Sequence, residues 1–160
     1  MRLAGRLRIA ASVLGLGLTL ALGASAQRGP PSIPDDVVSK MLELGLRNIQ
    51  HALCDGFNQC APATPAEFEN PPLSVDQARA AVLVGGRSAF VRWCGFDADR
   101  RSVLPFMQQL RRSKLYNERQ LALIAIIHGI QQSITAEQLK TKGMCDAATR
   151  SKLDAQLPKS

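Results

Sequence analysis

Aromatic side chains are scarce in this 160-residue chain, which has one Trp, one Tyr and five Phe. Proteins that hold single-stranded nucleic acid stack the bases on such rings, so that function is disfavoured. Cysteine never occurs as C-x-x-C, the usual thiol-redox spacing, and there is no C-x₂₋₄-C or H-x₃₋₅-H pair to begin a zinc site. G-x-S-x-G and H-E-x-x-H are missing too, and no metal or cofactor is expected. Past residue 26 no apolar run is long enough to span a membrane. No strand-length stretch alternates apolar with polar residues, which leaves an all-α chain.

What is present begins with an export pattern. Arg2, Arg6 and Arg8 precede an apolar run over 9–22, and Ala24-Ser25-Ala26 supplies small residues for cleavage after Ala26. A membrane anchor fits less well, because the run is short and Gly15, Gly17 and Gly23 dilute it. No Cys follows the cut and no twin-arginine pair precedes it, so neither a lipoprotein nor twin-arginine export is indicated. Residues 1–26 are therefore read as a signal peptide and the mature chain as periplasmic or secreted. Three of the 20 basic residues leave with the signal, so the net charge falls from +7 to +4. The remaining length suits one domain with a real core.

In an oxidising compartment, four cysteines argue for two disulfides. Cys54 and Cys60 flank "DGFNQ", a short segment able to close on itself, which leaves Cys94 and Cys145 for a long-range bridge. On a chain-entropy model the two bridges stabilise by about 2 and about 4 kcal/mol.

The remainder divides into an N-terminal extension and helix (27–60), a proline-rich linker (61–73) and a helical core (74–160). Val38, Met41, Leu42, Gly45, Ile49, Ala52 and Leu53 recur at helical spacing within 34–54, with Asp35 and Asp36 in the first turn. "APATPAEFENPPL" holds four prolines and reads as a linker or extended loop. Ser74 opens an S-x-x-Q capping box for a helix over 75–94, in which Gly85 and Gly86 either permit a close helix crossing or break the helix. Close packing is favoured. A stripe of Val82, Gly85, Gly86, Ala89, Phe90 and Trp93 is expected on its inner side. Asp97 caps a helix over 98–113, with Val103, Met107 and Leu110 inward. Pro105 either kinks that helix or falls in its first turn. Asn117 opens a second box, with Tyr116 and Leu121 placed as a hydrophobic staple. "LALIAIIHGI" is apolar on every face and predicts a central, buried helix. Thr135 opens a third box for a short helix stopped by Gly143, and Asp146 caps a last helix carrying Leu153 and Leu157. The expectation is a single disulfide-stapled bundle of about six helices.

Three groups could carry chemistry. In "CGFDADRR", an EF-hand counted from Asp97 has Arg101 at position 5, Ser102 at 6 and Gln108 at 12, so three requirements fail. Asp97 as a cap, Asp99 in the first turn and Trp93 as a core aromatic beside the Cys94 bridge account for that stretch. His128 is the catalytic candidate, as general base or ligand, set among Ile124, Ile127 and Ile130. Its structural reading is a neutral, hydrogen-bonded core histidine, and the sequence places no nucleophile beside it. His51 lies near a helix end. Arg100, Arg101, Arg111, Arg112, Lys114 and Arg119 form the densest basic group, and Arg111, Arg112, Lys114 and Arg119 are the candidate binding residues for an envelope protein or an anionic surface. The bland reading is a solvated face.

"CGFD" at 94–97, "LPFMQQLR" at 104–111 and "ERQLALIAIIHG" at 118–129 together resemble a group of small secreted bacterial helical proteins of unassigned function, with a Cys-Gly-x-Asp … His-Gly pattern. The resemblance covers Cys94 to Cys145 alone and implies a helical exported domain, with no activity attached. The sequence thus favours a non-enzymatic binding or structural protein of the cell envelope. The alternative is a small periplasmic enzyme, hydrolase-like, or a cofactor-binding protein, centred on His128.

Overall fold

The computed structural model describes residues 33–54 and 58–159. The segment 1–26 read as a signal peptide lies outside them. Six α-helices make up the described body: α1 (Asp35–Asn48), α2 (Pro65–Glu69), α3 (Val75–Trp93), α4 (Leu104–Ser113), α5 (Glu118–Leu139) and α6 (Ala147–Gln156). Short 3-10 turns at Ile49–His51 and Lys140–Lys142 extend α1 and α5, and a π-helical turn at Asp99–Val103 leads into α4. Two-residue strands, β1 (Leu53–Cys54) and β2 (Asn58–Gln59), pair antiparallel across the Cys54–Cys60 bridge. No described helix is long and apolar enough to cross a membrane.

The core forms where α1, α3 and α5 meet. Val38, Met41, Leu42, Leu46 and Ile49 of the first helix and its turn join Ala78, Ala81 and Val82 of α3 and Leu121, Leu123, Ile124 and Ile127 of α5, with Met107 of α4 at the margin. α1 and the turn after it therefore share one core with α3 and α5. Arg79 fastens its start, donating to the Ile33 carbonyl and pairing with Asp35. Ser74 and Asn117 accept from the third residue of their helices, while Gln77 and Gln120 reach back to complete each box. Tyr116 and Leu121, the expected staple, both pack on the core.

Small residues set how closely the helices approach. A β-carbon on Gly85 would stand 2.5 Å from the His128 carbonyl oxygen, and one on Gly45 would stand 2.7 Å from Ile127 Cγ1. The first obstacle is backbone and cannot rotate away. Gly86 faces open packing, with Thr135 Oγ1 3.7 Å from its hypothetical β-carbon. The two glycines of α3 thus do different work, and only Gly85 is needed for the crossing.

The structure corrects several expectations. The proline-rich 61–73 holds a helix, α2, because Thr64 and Glu67 form a capping box and Pro65 falls at the start of the helix, where its missing N–H is no loss. Thr135 opens no new helix. It is buried inside α5, its hydroxyl 2.9 Å from the Gln131 amide that donates to it, and the backbone continues to Leu139. The count of six helices therefore stands on a different set. Phe90 is exposed, Trp93 is half-buried and its indole N–H donates to the Gly143 carbonyl at 2.8 Å, while Val91 and Ser88 take the buried positions. Pro105 lies in the first turn of α4. It has no N–H for the Arg101 carbonyl, and Leu104 reaches back five residues to Asp99.

Both disulfides join the expected partners, Cys54 with Cys60 and Cys94 with Cys145. The second matters more for architecture. α6 buries no residue fully, and only Leu157 just beyond it is buried, in a small cluster with Val91 and Ala98. The guanidinium groups of Arg101 and Arg150 both lie over the Phe96 ring, each 4.9 Å from its centre. Arg101 also pairs with Asp154 at 2.6 Å, and Arg87 donates to the Gln156 carbonyl at 2.7 Å. A covalent bridge and these ties anchor a helix with little apolar area of its own.

Two neighbouring substitutions test the crossing. Gly85→Ala should destabilise the protein by about 1–3 kcal/mol, since overpacking outweighs the gain in helix propensity. Gly86→Ala should be neutral or stabilising by up to about 1 kcal/mol. Urea unfolding of the two variants against the wild type measures both.

Candidate functional site

One turn along α3 from Gly85, the Ser88 hydroxyl meets three partners: the Val84 carbonyl at 2.9 Å, Ser102 Oγ at 2.8 Å and His128 Nε2 at 2.9 Å. The close crossing brings His128 of α5 to Ser88, and the π-helical turn carries Ser102 in from the other side. Phe106 stacks on the imidazole with ring centres 6.4 Å apart and planes 28° apart. All three polar side chains are buried, Ser88 completely.

Counting protons decides what this cluster can do. A hydroxyl has one proton and two acceptor sites. The Val84 carbonyl can only accept, so Ser88 donates there and must accept from both Ser102 and His128. That assignment satisfies every contact and leaves the proton on His128 Nε2. A general base needs the opposite arrangement, with a bare Nε2 facing the nucleophile's proton. Ser88 and His128 are thus within hydrogen-bond reach, as a nucleophile and its base would be, but the bond runs the wrong way.

Access leads to the same conclusion. A cleft of about 200 Å³ is walled by Val84, Arg87, Ser102, Pro105 and Phe106 among others, but includes neither Ser88 nor His128. Burial is the main cause that lowers the His128 pKa below its ordinary value. Asp99 opposes the shift and Arg92 adds to it. A charged imidazolium is disfavoured and the ring stays neutral in the fold. A substrate would have to reach the ring, and the cleft beside it stops at Ser102 and Phe106.

The basic residues separate into two classes. Arg119 makes two hydrogen bonds to Glu67 at 2.6 and 2.9 Å and also donates to the Ala61 carbonyl at 2.9 Å. Hydrogen bonding to Arg119 is the main cause that holds the Glu67 carboxyl at about 2. Its charge is committed to fixing α2 against α5, which corrects its grouping with the other three. Arg101 is likewise engaged, with Asp154. Arg111, Arg112 and Lys114 are exposed at the end of α4 and form no ion pair with a described residue. Asp97 caps the turn before α4, accepting from the Arg100 N–H at 3.0 Å, and Asp99 pairs with Arg92 at 3.3 Å. Among the described residues no group of three or more His, Cys, Asp or Glu converges.

Two open apolar features were not visible in the sequence. α5 is central but not buried all round: Ala125, Ile126, Gly129, Ile130 and Ile134 line a shallow groove of about 530 Å³ with His51 at its edge. A larger cleft of about 680 Å³ lies between α1, α2 and the start of α3, walled by Leu42, Leu46, Phe68 and Leu73, with Arg47 5.7 Å from the Phe68 ring centre and paired to Glu43. Comparison with protein-family models, curated proteins and solved structures finds no match to this chain.

The cluster predicts a pH signature. The unfolded chain takes up a proton on His128 near about 6.5, whereas the folded chain resists it. Stability contributed by the neutral ring is therefore present above about pH 6.5 and lost as pH falls through that value. His128→Leu should cost about 1–3 kcal/mol at pH 7.5 and remove this part of the slope. Chemical denaturation of both proteins at pH 7.5 and 5.5 checks it, the gap narrowing at the lower pH.

Proposed function

We propose that this chain is an exported, non-enzymatic binding protein of the bacterial envelope, periplasmic or secreted, that engages an anionic surface through the end of α4. The observation that carries the reading is the contrast among its cations. Arg119 and Arg101 are held in ion pairs, whereas Arg111, Arg112 and Lys114 stand exposed on one short segment. Between Arg100 and Asn117 the sequence has no acidic residue. Such a patch attracts negatively charged partners over roughly a Debye length, about 8 Å at physiological ionic strength.

Export is supported by the pattern over residues 1–26 and by two disulfides, which persist outside a reducing cytosol. The resemblance across Cys94 to Cys145 points the same way. Catalysis at His128 is disfavoured by the direction of its bond to Ser88 and by the cleft that stops short of it.

Replacing Arg111, Arg112 and Lys114 together by Ser should weaken association with anionic envelope fragments, as should added salt. Thermal stability should be unchanged, since exposed substitutions rarely shift it by more than about 0.5 kcal/mol. Arg119→Ser should do the reverse, lowering stability by about 1–3 kcal/mol because it leaves Glu67 unpaired, with salt-sensitive binding retained. Sedimentation with envelope fragments and thermal melts of both variants separate the two classes.

A further inference from the structure

Leu115 directly follows Lys114, the last cation of this patch, and is 75% exposed, while Leu110 before it and Tyr116 after it pack on the core. The turn that presents it is built, not loose. The Ser113 hydroxyl donates to the Leu110 carbonyl at 2.6 Å and lies 3.3 Å from the Leu115 N–H, which donates to it. Lys114 ends α4 in the left-handed region at φ 55°, where a glycine would be free of strain. The chain thus carries a cation at a position that conformation alone would give to glycine, and it turns a large apolar side chain outward beside it. The dipole of α4 accounts for Arg111 and Arg112 at its C-terminal end. It does not account for Leu115.

We propose that this turn docks on an anionic phospholipid bilayer, with Leu115 inserted among the headgroups and Arg111, Arg112 and Lys114 on the lipid phosphates. The inference rests on the binding reading above and names its partner. Charge complementarity draws the patch to an anionic surface, and Leu115 selects which kind. A hydrophilic polyanion would satisfy the three cations but leave Leu115 in water. A bilayer accommodates both, because its interface offers phosphates above and acyl chain below. Each cation near an anionic leaflet multiplies partitioning about fivefold. Partial burial of one leucine adds about tenfold. Glu118, at the start of α5, is the nearest acidic residue in sequence.

The purified protein is tested by sedimentation with phosphatidylcholine vesicles, with vesicles that also contain phosphatidylglycerol, and with soluble long-chain polyphosphate by titration. The proposal expects binding to the mixed vesicles and not to phosphatidylcholine alone. Leu115→Ser should lower vesicle partitioning about tenfold while leaving polyphosphate binding and the thermal midpoint unchanged. Ser at positions 111, 112 and 114 should lower both kinds of binding. If Leu115→Ser binds mixed vesicles like the wild type, or if the wild type ignores those vesicles while binding polyphosphate, the lipid proposal is overturned and the electrostatic reading survives. If neither probe binds in a salt-sensitive way, both fall, and the partner is of another kind.

Discussion

α3 and α5 cross so closely that no side chain fits at Gly85, where a β-carbon would stand 2.5 Å from the His128 carbonyl oxygen. Much of the described body follows from that contact. It lets Ala78, Ala81 and Val82 join Leu121, Ile124 and Ile127 in one core, and α1 completes that core with its own stripe of Val38, Leu42 and Leu46. One turn further along α3, the same approach brings the Ser88 hydroxyl to the ring of His128 itself, inside an otherwise apolar interior. Buried polar groups are costly unless every donor and acceptor is matched. The crossing therefore creates a demand that Ser88, Ser102 and His128 satisfy among themselves, with the Val84 carbonyl as the final acceptor.

That closure shapes what the protein can do. A serine and a histidine 2.9 Å apart invite a catalytic interpretation, but the hydroxyl is fully buried and its proton is used elsewhere. The cluster instead links three segments, α3, the turn before α4, and α5. In doing so it fixes the start of α4, whose far end presents the exposed cations and Leu115. Of the cluster, Ser102 lies on the same continuous piece of chain as the proposed binding surface, so the first supports the second through α4.

Much of the fold was legible in the sequence because its signals are local. The capping boxes at Ser74 and Asn117, the caps at Asp97 and Asp146, the stripe of α1 and the pairing of the cysteines could each be read from a few residues. Local signals also misled. Thr135 with Gln138 matches a box, yet the preceding turn of helix has no breaker, and Gln131 takes the threonine's hydroxyl inside α5. Prolines hid the short α2, although Thr64 and Glu67 spelled its start. His128 could be singled out, but its partners could not. Ser88 lies 40 residues away from it and 14 from Ser102, and only the register of the crossing brings them together. Arg119 looked like its basic neighbours because its partner, Glu67, lies 52 residues away in the segment taken for a linker.

The central claim is that His128 is a neutral structural donor, with its proton on Nε2 and given to Ser88. Long-range ¹H–¹⁵N correlation spectra of the histidine rings, recorded as pH is lowered through about 6.5, read that proton directly. The account predicts a protonated Nε2 and a bare Nδ1 on His128, with a pattern that persists below the pH at which free imidazole titrates. A proton on Nδ1 with Nε2 bare toward Ser88, or titration of His128 at the ordinary value, would contradict it.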